Sequence, residues 1–446
     1  MAVDMLSKRG LTRNIIIFAL PLMASGVVQQ SFNSVDVAMV GRYVNHMAVA
    51  SVGSNGPVIG LIVNLFIGIA IGANVVIANF LGQRNEANTR RAVATTACLS
   101  LIGGALLLLI AQTTAKPILE LLGTPPEVMP GAVEYLRIYT LGFPFMLIYN
   151  FGSAVLRSVG DTRQPFYWLA AGCVVNLILD FVFVAYCGMG ISGVATATVM
   201  ANVVCAGGIV YSLTRRDDWV RVEVRKMRMY GMPLKRILQI GVPAGVQGVV
   251  FSLSNVFIQS SINSFGPEAM AGSAAALNFE IYCYFIVSAF VQAAVAFISQ
   301  NYGAGNKEMC RMVYLRCLCL TIGVCAFLNV VLWLMHDPCI RIFTDDPQAM
   351  YFATERMRVV LLYQWIAGSY EISGGALRAL GYSMTPTVIV IIGTCVVRVA
   401  WVSAVHFDSF AELLIVYPIT WIITGISVVA AYHIVARRRL RIITAR

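Results

Sequence analysis

The sequence predicts an all-α polytopic membrane protein: twelve transmembrane helices in two pseudo-symmetric six-helix lobes around a central cleft. Three observations predict it. The composition is 59% hydrophobic and 12% charged, with a mean hydropathy of +0.77, whereas soluble domains carry about 25% charged residues. Twelve apolar segments reach about 20 residues or more, each enough to cross a hydrocarbon core about 30 Å thick. The chain also repeats itself at an offset of 221 residues.

The segments centre on residues 12–40, 47–76, 92–112, 131–155, 165–186, 190–213, 235–264, 270–298, 311–335, 354–378, 386–406 and 411–435. Only helices and closed barrels satisfy their backbone in lipid, and these runs are too long and too evenly apolar for barrel strands. The first is too long for the apolar region of a secretory signal, and no small-residue cleavage site follows it, so it reads as span one. Within it Pro21 removes a backbone hydrogen bond and permits a bend, and Asp36 sets a carboxylate well inside the span. In span two, Gly68 and Gly72 are spaced for a close helix contact rather than for a dimer.

Charge sets the orientation. With the N-terminus inside, 25 of the 32 Lys and Arg residues fall in cytoplasmic segments. Arg42, Lys116, Arg137, Arg341, Arg356 and Arg358 lie outside or at outer helix ends, and Arg398 is in the membrane. This bias predicts a cytoplasmic (inner) membrane protein with both termini cytoplasmic. It accounts for the net charge of +11 without nucleic acid. The basic tail "RRRLR" at 437–441 reads as an anchor beside anionic membrane lipid.

The stretch "TRRDDWVRVEVRKMRMYGMPLKR", 214–236, holds eight basic and three acidic residues and reads as a cytoplasmic linker. It divides an N-terminal lobe, 1–213, from a C-terminal lobe, 237–436, followed by a basic tail, 437–446. The repeat supports that division. "AVLRSVGDTRQP" (154–165) lies over "GALRALGYSMTP" (375–386), and "LGQRNEANTR" (81–90) over "YGAGNKEMCR" (302–311). Pro21 has a counterpart in Pro243 at offset 222. Six spans per half give both halves the same orientation, the build of a transporter that alternates access by rocking one half against the other.

Four acids fall inside spans: Asp36, Asp180, Glu280 and Glu371. Intramembrane carboxylates are costly and usually face the bundle interior or a wet cavity. Span one carries Gln29, Asn33 and Asp36 on one helical face, and span five carries Asn176 and Asp180 four apart. Thr198 and Asn202 repeat that spacing in span six, and Asn150 lies in span four. Two carboxylates that meet in a poorly hydrated pocket repel, which makes a site able to hold a proton near neutral pH. The same oxygen-rich set can instead coordinate Na+ at Asp36, Asn176, Asp180 and Thr198. No catalytic constellation competes with this: His46, His336, His406 and His433 are scattered, and no HExxH, GxSxG or P-loop is present. The eleven cysteines contain no CxxC pair and read as small buried residues. The chain reads as no enzyme and as needing no cofactor beyond the coupling ion.

These blocks resemble the multidrug and toxic compound extrusion (MATE) transporters over essentially the whole length. The resemblance rests on "LPLMASGVVQQSFNSVDVAMVG", "FLGQRNEANTRRA", "AVLRSVGDTRQP" with its partner "GALRALGYSMTP", and "VNLILDFVFV". It implies antiport driven by H+ or Na+, with amphipathic, mostly cationic compounds exported. It implies cation coupling at Asp36, with bending at Pro21, and a surrounding site of Asn176, Asp180, Thr198 and Asn150, with Gln29 a neighbour. The NorM type carries a span-seven glutamate where this chain reads "GVVFSLSN", without an acid, so the pattern resembles the DinF-like branch. Tyr284, Trp365 and Tyr370 are candidates for a substrate cleft through cation–π contact, beside Glu280 and Glu371. Arg398 is expected to pair with Glu371 or Glu280. The alternative is a flippase for lipid-linked or other amphipathic substrates of the same superfamily. A single buried arginine against four buried acids weighs against it. The basic motif of major facilitator transporters is not recognisable in "GQRNEANTRR". A monomer is expected.

Overall fold

The computed structural model describes residues 3–44, 46–121, 123–405, 407 and 409–442. Of the residues singled out above, the side chains of Asn33, His46 and Arg441, together with His406 and the end of the tail, lie outside the described residues. Among the described residues every regular element is helical. The first eight α-helices are α1 (Leu11–Tyr43), α2 (His46–Gly53), α3 (Gly56–Gly82), α4 (Glu86–Leu121), α5 (Met129–Thr140), α6 (Phe143–Ser158), α7 (Arg163–Asp180) and α8 (Gly190–Thr214). Ten more follow: α9 (Gly231–Asn263), α10 (Pro267–Gly303), α11 (Lys307–Leu334), α12 (His336–Arg341), α13 (Pro347–Val359), α14 (Ala367–Ala379), α15 (Met384–Val390), α16 (Val397–Ala404), α17 (Phe410–Leu414) and α18 (Val416–Ile442).

Ten helical segments among the described residues are long and apolar enough to cross a membrane, and α5 with α6, bent by 47°, makes an eleventh. The remaining predicted span, 354–378, is not one helix. It is built from α13 and α14, 13 residues each, joined by a 3-10 stretch, Leu361–Ile366. A helix of that length rises only about 20 Å, so two pieces are needed.

The chain forms two compact units, one of Val3 and Ala24–Gly241, the other of Asp4–Met23 and Val242 onward. It passes from one unit to the other inside α1, just beyond Pro21, and inside α9, just before Pro243. In the first unit α6 packs on α3, α4 and α8; in the second, α14 packs on α10, α11 and α18. These are corresponding helices of the repeat.

Close backbone approach depends on small residues in the first unit. A Cβ on Gly152 of α6 would sit 2.1 Å from Cγ2 of Ile209 on α8, and one on Gly72 of α3 would sit 2.4 Å from the Ile237 carbonyl of α9. The Gly68–Gly72 spacing thus serves a contact within the chain. The linker is pinned to the same unit. Arg216 bridges Asp161 (3.3 Å) and Asp218 (2.7 Å), and the Tyr230 N–H donates to Thr95 Oγ1 at 3.1 Å.

The repeat extends to the backbone. Gly160 and Gly381 have φ of 82° and 89°, and each follows a helix C-terminus closed by a long-reaching bond. The Asp161 N–H donates to the Leu156 carbonyl (3.0 Å), and the Tyr382 N–H to that of Leu377 (2.9 Å). Asn85 and Asn306 both accept, through Oδ1, the N–H three residues on at 3.1 Å. The residue before each has positive φ: Gly305 at 75° and Arg84 at 53°.

The second unit contains an ion pair that sequence did not foresee. Arg356, expected at an outer helix end, is only 3% exposed. Its Nε donates to Glu280 Oε1 at 2.6 Å, its Nη2 to Oε2 at 2.9 Å and its Nη1 to Ser273 Oγ at 2.6 Å. Glu280 is therefore neutralised by Arg356 and not, as expected, by Arg398.

Stability outcomes for four variants follow from these features. Arg84→Gly relieves a left-handed residue with a side chain and is expected to stabilise by about 1 kcal/mol. Gly160→Ala should lose at least as much, since its Cβ would meet the Val3 carbonyl at 2.5 Å. Melting of both variants in detergent reads the two opposite shifts. Glu280→Gln should destabilise by about 3–5 kcal/mol, because it strands a buried guanidinium. The double replacement Glu280→Gln, Arg356→Met should recover much of that loss in the same melting experiment.

Candidate functional site

The buried acids of the first unit converge. Asp180 is the last residue of α7 and fully buried, and Asn176, one turn earlier on the same face, is 5% exposed. Directly after Asp180 the chain widens into a π-helical stretch, Phe181–Tyr186, a feature that concentrates at functional sites. Asp36, reaching from α1, faces the Asp180 carboxylate, and Thr198 of α8 stands beside it. The Thr198 hydroxyl donates to the Val194 carbonyl at 3.0 Å, which leaves its lone pairs free to point elsewhere.

Two residues at this site went unnoticed in the sequence. Tyr135 of α5 lies near both carboxylates and Tyr139 near Asp36. Their rings stack with centroids 5.6 Å apart, and Tyr139 meets Phe143 edge-on at 5.9 Å. The only sequence signal was the four-residue spacing of two tyrosines in a span that carries Asn150. An apolar wall of Val40, Ala48, Val184, Val194 and Ala195 packs around Tyr135.

The polar atoms at the centre lack protein partners. Oδ1 of Asp36, both carboxylate oxygens of Asp180 and Nδ2 of Asn176 are buried without a hydrogen bond. Such groups are nearly always satisfied in folded proteins. Two facing carboxylates in a dry pocket repel, and one small positive guest, a proton or an oxygen-seeking cation, relieves the repulsion and supplies what the carboxylate oxygens lack, whereas Asn176 Nδ2 is a donor and needs an acceptor.

The remaining expected members are placed differently. Asn150 of α6 is half-buried and donates to the Met146 carbonyl at 2.9 Å, within its own helix. Gln29 is exposed on α1.

In the second unit, Glu371 of α14 faces Arg378, Tyr284 and Tyr370. Arg378 also donates to Gln247 Oε1 at 2.7 Å. Tyr370 is buried, Tyr284 is 46% exposed and Trp365 is half-buried in the 3-10 stretch. Glu280 belongs to the Arg356 pair. Arg398, expected to bond Glu371 or Glu280, donates instead to Asn255 Oδ1 (3.0 Å) and Thr420 Oγ1 (3.4 Å). The count of buried arginines is also corrected: Arg356, Arg378 and Arg398 are all buried in this unit, not Arg398 alone.

Comparison with known proteins agrees with this architecture. The MatE family model matches residues 21–182 and 243–403, one match in each half. "Probable multidrug resistance protein YoeA" of Bacillus subtilis (strain 168) is 27% identical over 97% of this chain and 96% of its own length. "Probable multidrug resistance protein NorM" of Thermotoga maritima is 27% identical over 89% and 86%. Among solved structures, an aspartate-to-asparagine variant of the Vibrio cholerae MATE transporter VcmN superposes with a TM-score of 0.89 at 22% identity, over 96% of this chain and 98% of that one. At that identity the likeness speaks to the fold. With the family model matched in both halves and its helices long enough to cross a membrane, the chain belongs to the MatE (multidrug and toxic compound extrusion) family and is a multi-pass membrane transporter, not an enzyme.

Proposed function

We propose that the protein is a cation-coupled antiporter that exports amphipathic, mostly cationic organic compounds by alternating access. The coupling ion, H+ or Na+, is held in the N-terminal half by Asp36, Asp180, Asn176 and Thr198, with Tyr135 alongside. The observation that carries this reading is the facing Asp36–Asp180 pair, three of whose four carboxylate oxygens are buried without a hydrogen bond. The names of the relatives, multidrug resistance proteins, support a small-molecule cargo.

The mechanism follows from linkage. A cation on the carboxylate pair and a positively charged cargo each favour the state the other disfavours, so binding of one promotes release of the other. Pro21 interrupts the hydrogen bonding of α1 fifteen residues before Asp36, so a bend there can respond to the charge on that carboxylate. The positive-inside bias supports an inner-membrane location with both termini cytoplasmic, residues 214–236 linking the lobes on that side and 437–446 against the lipid surface. A monomer contains the whole site. The missing span-seven acid supports a DinF-like assignment within the family.

A flippase for lipid-linked or other amphipathic substrates is the second reading. It draws on the buried Arg356, Arg378 and Arg398 of the second half, since a pyrophosphate cargo needs positive charge.

In proteoliposomes, Asp36→Asn and Asp180→Asn are each expected to lower gradient-driven uptake of a cationic dye by about tenfold or more, equivalent to about 1.4 kcal/mol of lost coupling. Flux that follows an imposed pH gradient and ignores Na+ assigns the proton; the reverse assigns Na+. Absence of dye movement under both gradients would sink the cationic-cargo reading and favour the flippase. Tyr135→Phe keeps the ring and removes one hydroxyl. It should weaken cation binding by about 1 kcal/mol, roughly fivefold, in a titration of half-maximal transport against the coupling ion.

A further inference from the structure

Among the described residues of the second unit, one buried positive charge has no ion-pair partner. Arg398 is 0% exposed. Its guanidinium lies over the ring of Tyr417, 4.4 Å from the centroid, and 5.2 Å from that of Phe251. Asn255 and Thr420 accept from Nη1 and Nε, and both are neutral. Nη2 is buried with no partner.

The carboxylate within its reach is already engaged. Glu280 lies within electrostatic reach of Arg398, but both its oxygens are taken by Arg356, whose guanidinium lies 5.8 Å from the other contact of Arg398, the Tyr417 ring. Glu371 faces Arg378. Among the described residues only Arg356 of the three guanidiniums is ion-paired; Arg378 donates to neutral Gln247 within electrostatic reach of Glu371, and Arg398 bonds only to neutral Asn255 and Thr420.

The repeat makes this more telling. Span five and its counterpart span eleven each carry one Asp, Glu, Lys or Arg, Asp180 in the first and Arg398 in the second. Both spans contain a π-helical stretch beside that charge. Phe181–Tyr186 starts directly after Asp180, and Ile391–Val396 ends two residues before Arg398. π turns concentrate at functional sites. The two halves thus present charges of opposite sign from matching, similarly distorted spans.

We propose that Arg398 binds an anionic oxygen group, a carboxylate or phosphate, of the transported amphiphile. The free Nη2–H supplies a charge-assisted hydrogen bond. Asn255 and Thr420 fix the guanidinium, and the aromatic faces of Tyr417 and Phe251 hold it from the sides. The wide turn at Ile391–Val396 is the element that re-registers to open Arg398 to the cargo. Among the cationic amphiphiles proposed as cargo, the site selects those that also carry an anionic oxygen, and it is separate from the Asp36–Asp180 pair.

The test is equilibrium binding to the full-length protein in detergent, read by fluorescence anisotropy. The probes are a rhodamine with a free carboxylate and its methyl ester, which differ by that negative charge and one methyl group. Wild type is expected to bind the carboxylate form about tenfold more tightly, which corresponds to about 1.4 kcal/mol. Arg398→Gln should abolish the preference and Arg398→Lys retain part of it. Thr420→Val and Asn255→Ala keep the charge but release its fork; they should reduce the preference, and they stand in if Arg398→Gln fails to fold. Equal binding of the two dyes, binding of neither, or an unchanged preference in Arg398→Gln overturns the proposal. Inorganic phosphate or chloride raising the melting temperature through Arg398 without dye discrimination also overturns it, since that marks a resident counter-ion. Binding is measured without a gradient, so failure of the coupling reading at Asp36 leaves this outcome unaffected.

Discussion

Hydrocarbon offers no hydrogen bonds, and everything polar inside these spans must answer to that. Most of it does so within the chain. Asn74 of α3 donates to the Ala154 carbonyl of α6, and Asn55 donates to the carbonyls of Ser51 and Ala132. Hydroxyls such as Thr96 and Thr420 return to the carbonyl one turn back. Those bonds hold helices together, although the Oδ1 atoms of Asn55 and Asn74 stay unpartnered. A bare charge costs far more than a bare amide oxygen, so the oxygens of Asp180 and the Nη2 of Arg398 are the groups with most to gain from an occupant.

The internal repeat separates what geometry demands from what chemistry can change. A helix that must stop and turn has few ways to do so, and the two halves use the same ones: glycine at positive φ at 160 and 381, and asparagine capping at 85 and 306. Arg84 shows the tolerance of the device, since it occupies the left-handed position that Gly305 fills in the other half. Side chains facing the interior are under no such restriction. Asn150 corresponds to Glu371, and the lone charge of span five is acidic where that of span eleven is basic. Backbone solutions persisted while the charges diverged.

That contrast explains what could be read from sequence. Asp36 and Asp180 were legible because a carboxylate in an apolar run is conspicuous, and helical spacing placed Asn176 beside Asp180. Tyr135 and Tyr139 were not, since tyrosine is ordinary at membrane depth and near interfaces, and only the fold turns those rings toward the acids. Arg356 was misplaced for a related reason. It lies near Arg358 and Glu355, a cluster that reads as a helix end at the surface. The fold makes α13 a short helix packed against α10, where the same arginine meets Glu280. Spans four and ten looked continuous because their apolar content does not reveal a break. The bend between α5 and α6 falls at Gly142 and Pro144, while the 3-10 stretch before α14 contains neither glycine nor proline to mark it.

Burial alone does not make an intramembrane charge functional; the state of its bonding does. Arg356 spends its Nε, Nη1 and Nη2 on Glu280 and Ser273, and Glu280 has both oxygens occupied. A guest arriving there would have to break strong bonds before forming its own, so the pair serves to lock α10 to α13. At Asp36–Asp180 the sign is reversed. Desolvation has already been met by the fold, repulsion persists, and a single cation gains from every group it touches. Arg398 presents the opposite sign, buried and fixed by neutral partners with one N–H group unused. A transporter needs sites whose occupancy changes the energy of a conformation. Groups left unsatisfied by the fold are where a small ion or cargo can exert that change.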